Sequence, residues 1–187
     1  EALKIALYRI VFEEFLILQL GLFMFKNGTT EVEGIKFNRD ENLDNILKAL
    51  PFKLTNAQNR ALNEIIEDMQ SNKVMNRLVQ GDVGSGKTVV ALLALANCVL
   101  NGYQGALMAP TEILAEQHYI SLSETLKPFG MEIELLVGSL TKKQKQKVLE
   151  RVKNKEIDIL IGTHALKEDK VEFNNLGIVV TDEQHRF

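Results

Sequence analysis

Apolar residues change their spacing along this chain, and each change predicts a different element. Between residues 2 and 26, Leu3, Leu7, Ile10, Val11, Phe15, Leu18 and Leu22 recur at near-helical intervals, which predicts one long helix. Its second half, from Phe15 to Phe25, is apolar nearly all round, so a buried or partner-facing helix is expected before a re-entrant or signal-like segment. That stretch is too short to cross a bilayer, which takes about 20 residues. Arg9, Glu13 and Glu14 prevent it from extending backwards. Lys26-Asn27-Gly28-Thr29-Thr30 supplies turn residues to end the helix. Residues 27–50 read as a polar connector with a short helix around Leu43–Leu50, punctuated by Pro51.

From Phe52 onward, short apolar β-branched runs alternate with amphipathic stretches. Strands are expected at 77–80, 105–109, 132–137, 157–161 and 177–181, and helices at 55–71, 88–100, 111–126 and 142–154. Thr55 with Gln58 and Thr141 with Gln144 have the spacing of capping boxes, and Thr111 is placed to cap the third of these helices. Strand–helix alternation of this kind specifies an α/β fold: a parallel sheet with helices on both faces, preceded by an N-terminal helix. The division expected is a helical linker at 1–50 and the α/β domain at 51–187.

Composition narrows the picture modestly. The chain has 187 residues, 45% of them hydrophobic, enough for one domain with a single core and a short appendage. Lys and Arg number 22 against 25 Asp and Glu, a formal charge of -3. A histone-like basic coat is excluded, while a local patch for nucleic acid is not. The single cysteine, Cys98, excludes an internal disulfide framework and a Cys-based zinc site. It suits a reducing cytosol, and within its apolar helix it reads as a small core residue. The first residues lack a cationic run and a small-residue cleavage site, so a cytoplasmic location is expected.

The strongest chemical signal is Gly81-Asp82-Val83-Gly84-Ser85-Gly86-Lys87-Thr88, which matches G-x-x-x-x-G-K-[ST] between an expected strand and an expected helix. Glycines let the backbone curl so that its N–H groups face phosphate oxygens, and the following helix adds its positive end. In that setting Lys87 is a point charge for the β and γ phosphates, and Thr88 offers a hydroxyl to Mg²⁺. The second signal is Asp182-Glu183-Gln184-His185, directly after an apolar strand. A carboxylate at the carboxyl end of a parallel strand faces the same crevice as the phosphate loop. Asp182 can hold the Mg²⁺ hydration shell while Glu183 orients the attacking water, the pairing that phosphoryl transfer requires.

A phosphate loop followed by D-E-x-H resembles the superfamily 2 helicases and translocases. Ala109-Pro110-Thr111-Glu112-Ile113-Leu114-Ala115-Glu116-Gln117-His118 is similar to motif Ia of that group, and Ile161-Gly162-Thr163-His164-Ala165-Leu166 to motif Ic. With Gln80–Thr88 and Asp182–Phe187, these segments resemble the RecG-like ATP-dependent DNA helicases, which remodel branched DNA in recombination and repair. The resemblance covers nearly the whole chain and implies a RecA-like first motor domain that uses ATP and Mg²⁺. A transcription-repair coupling translocase or a non-motor P-loop NTPase is the alternative.

The resemblance assigns residues. Lys87, Asp182, Glu183 and His185 are the catalytic candidates, His185 as the link between the ATP site and DNA-dependent motion. Gly81, Asp82, Val83, Gly84, Ser85, Gly86, Lys87 and Thr88 hold the nucleotide, with Thr88 and Asp182 on the metal, partly through water. Gln58 either reads adenine or serves only as the capping partner of Thr55. Pro110, Thr111, Gly138, Ser139, Thr163 and His164 match positions that touch a nucleic-acid backbone. Phe52 is expected in the core before a place near the base, and His118 on a helix surface without a role. The run Lys142, Lys143, Lys145, Lys147, Arg151, Lys153 and Lys155 is read as a solvated helix face before a phosphate contact.

The resemblance also implies parts outside the chain. These are a strand following motif III, a second motor domain with its arginine, and a wedge domain that splits a junction. A chain ending at Phe187 is therefore expected to bind nucleotide without efficient hydrolysis, because such an arginine contributes a factor of about 10³–10⁵. The missing strand is expected to leave its neighbours imperfectly paired.

Overall fold

The computed structural model describes residues 2–29, 33–163, 166 and 171–182. Helix α1 (Ala2–Thr29) comes first, then α2 (Asn42–Ala49), α3 (Asn56–Gln70) and α4 (Lys87–Leu100). After these, β1 (Gln104–Met108), α5 (Glu112–Leu126), β2 (Ile133–Leu136), α6 (Lys142–Lys153), β3 (Ile159–Gly162) and β4 (Leu176–Thr181) alternate. The four strands form one parallel sheet in the order β2-β3-β1-β4.

Side-chain alternation divides the sheet into two faces. Leu107, Ile133, Ile159, Ile161 and Ile178 face a core shared with α2, α3, α4 and α5. Leu136 and Leu160 face the opposite way, onto Val148 and Val152 of α6. Strands buried on both faces need no polar alternation, which is why β3, and β1 after Gln104, read as continuous apolar runs. The expected α/β class and helices on both faces are therefore present.

The connector is part of this core. Phe37, Leu43 and Ile46 are buried in it. Asn101 ties it down by accepting from the Asn38 N–H at 2.8 Å and donating to the Asn38 carbonyl at 2.8 Å. Buried Asn97 accepts from the Asp40 N–H.

Three expectations need correction. Residues 77–80 form no strand, because a strand needs a hydrogen-bonded neighbour and none of the sheet's strands pairs with them among the described residues. The segment is anchored instead by Arg77, whose guanidinium pairs with Glu64 at 2.7 Å and Asp68 at 2.6 Å on α3. Phe52 is not in the core: it sits in the bend after Pro51, about half exposed, between α2 and α3. Helix α1 is not buried by the rest of the described residues, since every side chain from Leu3 to Met24 is exposed.

Candidate nucleotide and nucleic-acid site

Helix starts divide into two kinds. The Thr55, Thr111 and Thr141 side chains accept from Gln58 N, Leu114 N and Gln144 N, capping α3, α5 and α6. Helix α4 has no such cap: its N-cap is Gly86, which has no side chain to offer. Its first-turn N–H groups are therefore free of a side-chain acceptor, and the helix dipole adds positive potential at the same place. That combination binds anions.

The loop geometry requires its glycines. Gly84 and Gly86 have φ of 80° and 77°, in the left-handed region. A Cβ on Gly86 would lie 2.3 Å from Nε2 of Gln58. The Lys87 ammonium folds back on the loop, donating to the carbonyls of Gly81 at 2.7 Å and Asp82 at 2.9 Å. These contacts compete with an incoming phosphate for the same charge. Thr88 is exposed on the first turn of α4, and Val83 at the loop tip is fully exposed.

Gln58 spends its amide within the protein. Oε1 accepts from the Thr55 N–H at 2.8 Å, completing the capping box. Nε2 donates to the Ser85 carbonyl at 2.9 Å, fastening α3 to the phosphate loop. The capping reading is realised, joined by a tie to the loop, and the amide keeps a second N–H and a second acceptor lone pair that an adenine could meet.

Asp182 follows β4 directly. Its N–H donates to the Met108 carbonyl at 2.8 Å, which continues the ladder to β1 by one residue. Its carboxylate Oδ2 lies 2.9 Å from Nε2 of His118 on α5. A carboxylate only accepts, so the hydrogen is on Nε2. His118 is thus not the surface residue expected: it is buried, in a stripe with Ala115, Leu122 and Leu126. That i, i+3, i+7, i+11 spacing was the available signal.

Register places the remaining candidates together. Met108 pairs with Gly162 and with Thr181, and Leu136 pairs with Gly162, so the four strands end in one row. Pro110 and Thr111, Gly138 and Ser139, Thr163 and Asp182 all leave the sheet from that carboxyl edge. Gly138 abuts the start of α5: a Cβ there would lie 2.6 Å from the Glu112 carboxylate. The Thr111 hydroxyl is committed to its cap, 3.3 Å from the Leu114 N. His164, Glu183, Gln184 and His185 lie outside the described residues. The lysine-rich run is partly neutralised. Arg151 pairs with Glu134 at 2.6 Å and Lys153 with Glu172 at 2.5 Å, while Lys142, Lys143 and Lys147 stay exposed.

Comparison with known proteins identifies the family and the fold. The family model described as DEAD/DEAH box helicase matches residues 55–187. The chain is 53% identical, over its whole length, to the ATP-dependent DNA helicase RecG of Bacillus subtilis (strain 168), of which it covers 28%. It is 52% identical over 96% of its length to the RecG of Aquifex aeolicus (strain VF5), of which it covers 23%. A solved structure of RecG bound to a three-way DNA junction superposes with a TM-score of 0.87 at 48% identity. That match takes in 94% of this chain and 24% of the other. A hypothetical ATP-dependent RNA helicase from Sulfolobus tokodaii shares the fold, with a TM-score of 0.59 at 20% identity, over 78% of this chain and 42% of that one. The chain spans about a quarter of the length of the curated relatives it matches. By the match to residues 55–187, the chain belongs to the DEAD/DEAH box helicase family.

Proposed function

We propose that this chain is the ATP-binding part of the first motor domain of a RecG-like, ATP-dependent DNA helicase or translocase. The observation that carries the proposal is the uncapped start of α4, with Gly86 at φ 77° and Lys87 beside it. Residues 51–187 are the motor part and 1–50 lead into it, with Phe37, Leu43 and Ile46 already packed on its core. The likeness to RecG sequences, and to a RecG structure bound to a DNA junction, supports branched DNA as the substrate of the whole protein. It also supports a second motor domain and a wedge domain in cis, and a cytoplasmic, bacterial setting. Among the described residues no helix is long and apolar enough to cross a membrane.

Each residue has a role. The α4 amides and the loop backbone bind the phosphates. Lys87 leaves the Gly81 and Asp82 carbonyls to neutralise the β and γ oxygens. Gln58 holds the loop through Ser85. Mg²⁺ fits the donors present: the Thr88 hydroxyl and the Asp182 carboxylate are hard oxygen ligands. Asp182 Oδ1 accepts no hydrogen bond among the described residues. No cluster of three metal-ligating side chains exists among them either. That suits an ion held by one carboxylate, phosphate oxygens and water. When bound, the ion neutralises charge on the β and γ phosphates. Glu183 orients the attacking water and His185 relays the state of the site to DNA. Pro110, Thr111, Gly138, Ser139, Thr163 and His164 contact the DNA backbone without reading sequence.

Calorimetry with Mg²⁺-ATP, run beside Lys87→Ala and with turnover assayed with and without branched DNA, tests the proposal. Lys87-dependent binding with little turnover is expected. Binding that survives Lys87→Ala unchanged would refute it.

A further inference from the structure

The pairing of His118 with Asp182 is unexplained by the fold alone. A buried histidine whose Nε2 meets a half-buried carboxylate at 2.9 Å fixes the position of one carboxylate oxygen. Asp182 is thereby held at two points: its N–H on the Met108 carbonyl at the end of β1, and its Oδ2 on α5. Both points lead to the same segment. Met108 is followed by Ala109, Pro110 and Thr111, and Thr111 caps α5, which carries His118. His118 stands seven helical steps on from Thr111, a rigid span of roughly 10 Å. A shift at the start of α5 must therefore move the ring that holds the carboxylate.

We propose that His118 is a positioning residue. Its Nε2–H fixes the Asp182 carboxylate through Oδ2, which would leave Oδ1 for a metal ion, and it ties that carboxylate to the helix whose start is proposed above to contact the nucleic-acid backbone. This rests on the nucleotide reading given above. The histidine touches neither nucleotide nor metal; it acts through Asp182. Partners of this kind fix ligand orientation, and their loss commonly costs 10–100-fold in metal affinity. The cost here is expected near the lower end, about 10-fold, because an ion shared with phosphates and water leans less on one carboxylate.

Three variants separate orientation from packing. His118→Met keeps the buried stripe apolar and removes the donor. His118→Gln places an amide Nε2 near the position of the ring Nε2 and keeps the donor. His118→Asn keeps an amide too short to reach Oδ2. The probe is ATP affinity with Mn²⁺ divided by ATP affinity in chelator, with Mn²⁺ retention read by electron paramagnetic resonance and folding by thermal melt. The Met and Asn variants are expected to lower that ratio about 10-fold with metal-free ATP affinity unchanged, and Gln to recover it to within about threefold. If Met fails to fold, the contrast between Asn and Gln carries the test, because both keep a polar side chain at this site. A ratio equal to wild type in the Met and Asn variants overturns the proposal. So does an equal loss of metal-free affinity, or no rescue by Gln. Lys87-dependent ATP binding with an unchanged ratio defeats only the role of His118. ATP binding that ignores Lys87→Ala defeats the nucleotide reading and this inference with it.

Discussion

Gln104 is the most consequential polar residue that is not in the candidate site, and replacing it by leucine is a quantitative test of the packing. The side chain is fully buried at the start of β1. Its Nε2 donates to the carbonyls of Val152 at 2.9 Å and Ile157 at 2.7 Å. Its Oε1 accepts from the N–H groups of Asn174 at 2.9 Å and Asn175 at 3.0 Å. Both donors and both acceptor positions of the amide are used. One side chain thus joins the end of α6, the approach to β3 and the approach to β4, and so sets where Asp182 emerges. In Gln104→Leu the Asn174 and Asn175 N–H groups can turn to water, since that turn is partly exposed. The Val152 and Ile157 carbonyls belong to residues buried almost completely. The Val152 carbonyl keeps the Lys155 N–H at 3.1 Å, so only the Ile157 carbonyl is left without a partner among the described residues. One such group costs about 1–3 kcal/mol, partly offset by the apolar side chain, for a net loss of about 1–2 kcal/mol. Urea unfolding followed by circular dichroism should show that loss as a lower midpoint at unchanged slope. Gln104→Glu should cost at least as much, because a carboxylate would face two carbonyls without a proton to offer. A leucine variant as stable as wild type would refute the reasoning, since it would mean the Ile157 carbonyl finds another partner.

Three further outcomes are expected. Gly86→Ala should lower stability by about 1–2 kcal/mol, because φ of 77° is strained for any side chain. It should also weaken ATP binding, because the new Cβ displaces Gln58 from the loop; calorimetry and a thermal melt on one sample read both. Burial pushes the Cys98 thiol up to about 12, so it should resist alkylation in the folded chain and react only on unfolding. Because the folded thiol keeps its proton where an unfolded one loses it, stability should fall as pH rises from about 9 towards 12. Lys153 holds the Glu172 carboxyl below its ordinary value, first through the hydrogen bond and then through charge. Its small stabilisation is therefore present above the unfolded value and lost as pH falls below it. NMR titration should place Glu172 lower in wild type than in Lys153→Ala, and added salt should shrink the gap.

Much of the fold is written in local chemistry. Thr55 and Thr141 each sit three residues before a glutamine, and both capping boxes form. The phosphate loop is legible because Gly84 and Gly86 occupy backbone conformations few other residues tolerate. The failures are non-local. Arg77–Gln80 has the composition of a strand, yet a strand exists only with a neighbour, and pairing is not a property of the segment itself. Hydrophobicity alone points Phe52 inward, yet its position in a bend after Pro51 leaves it half exposed. His118 could be placed by its spacing with Ala115 and Leu122, but the carboxylate it meets comes from sixty-four residues further on, which no local pattern records. Gln104 shows the same limit: a glutamine opening an apolar strand signals a buried amide, while its four partners come from three separate turns of chain.

The central claim is that the open start of α4 is a phosphate site that shares one structural unit with Asp182. Backbone amide spectra of the labelled chain, titrated with Mg²⁺-ATP and repeated on Lys87→Ala, test it residue by residue. The expected result is large shifts confined to the amides of Gly84, Gly86, Lys87 and Thr88, with smaller ones at His118 and Asp182, all abolished in the variant. Shifts centred elsewhere, or an unchanged response in Lys87→Ala, would contradict it.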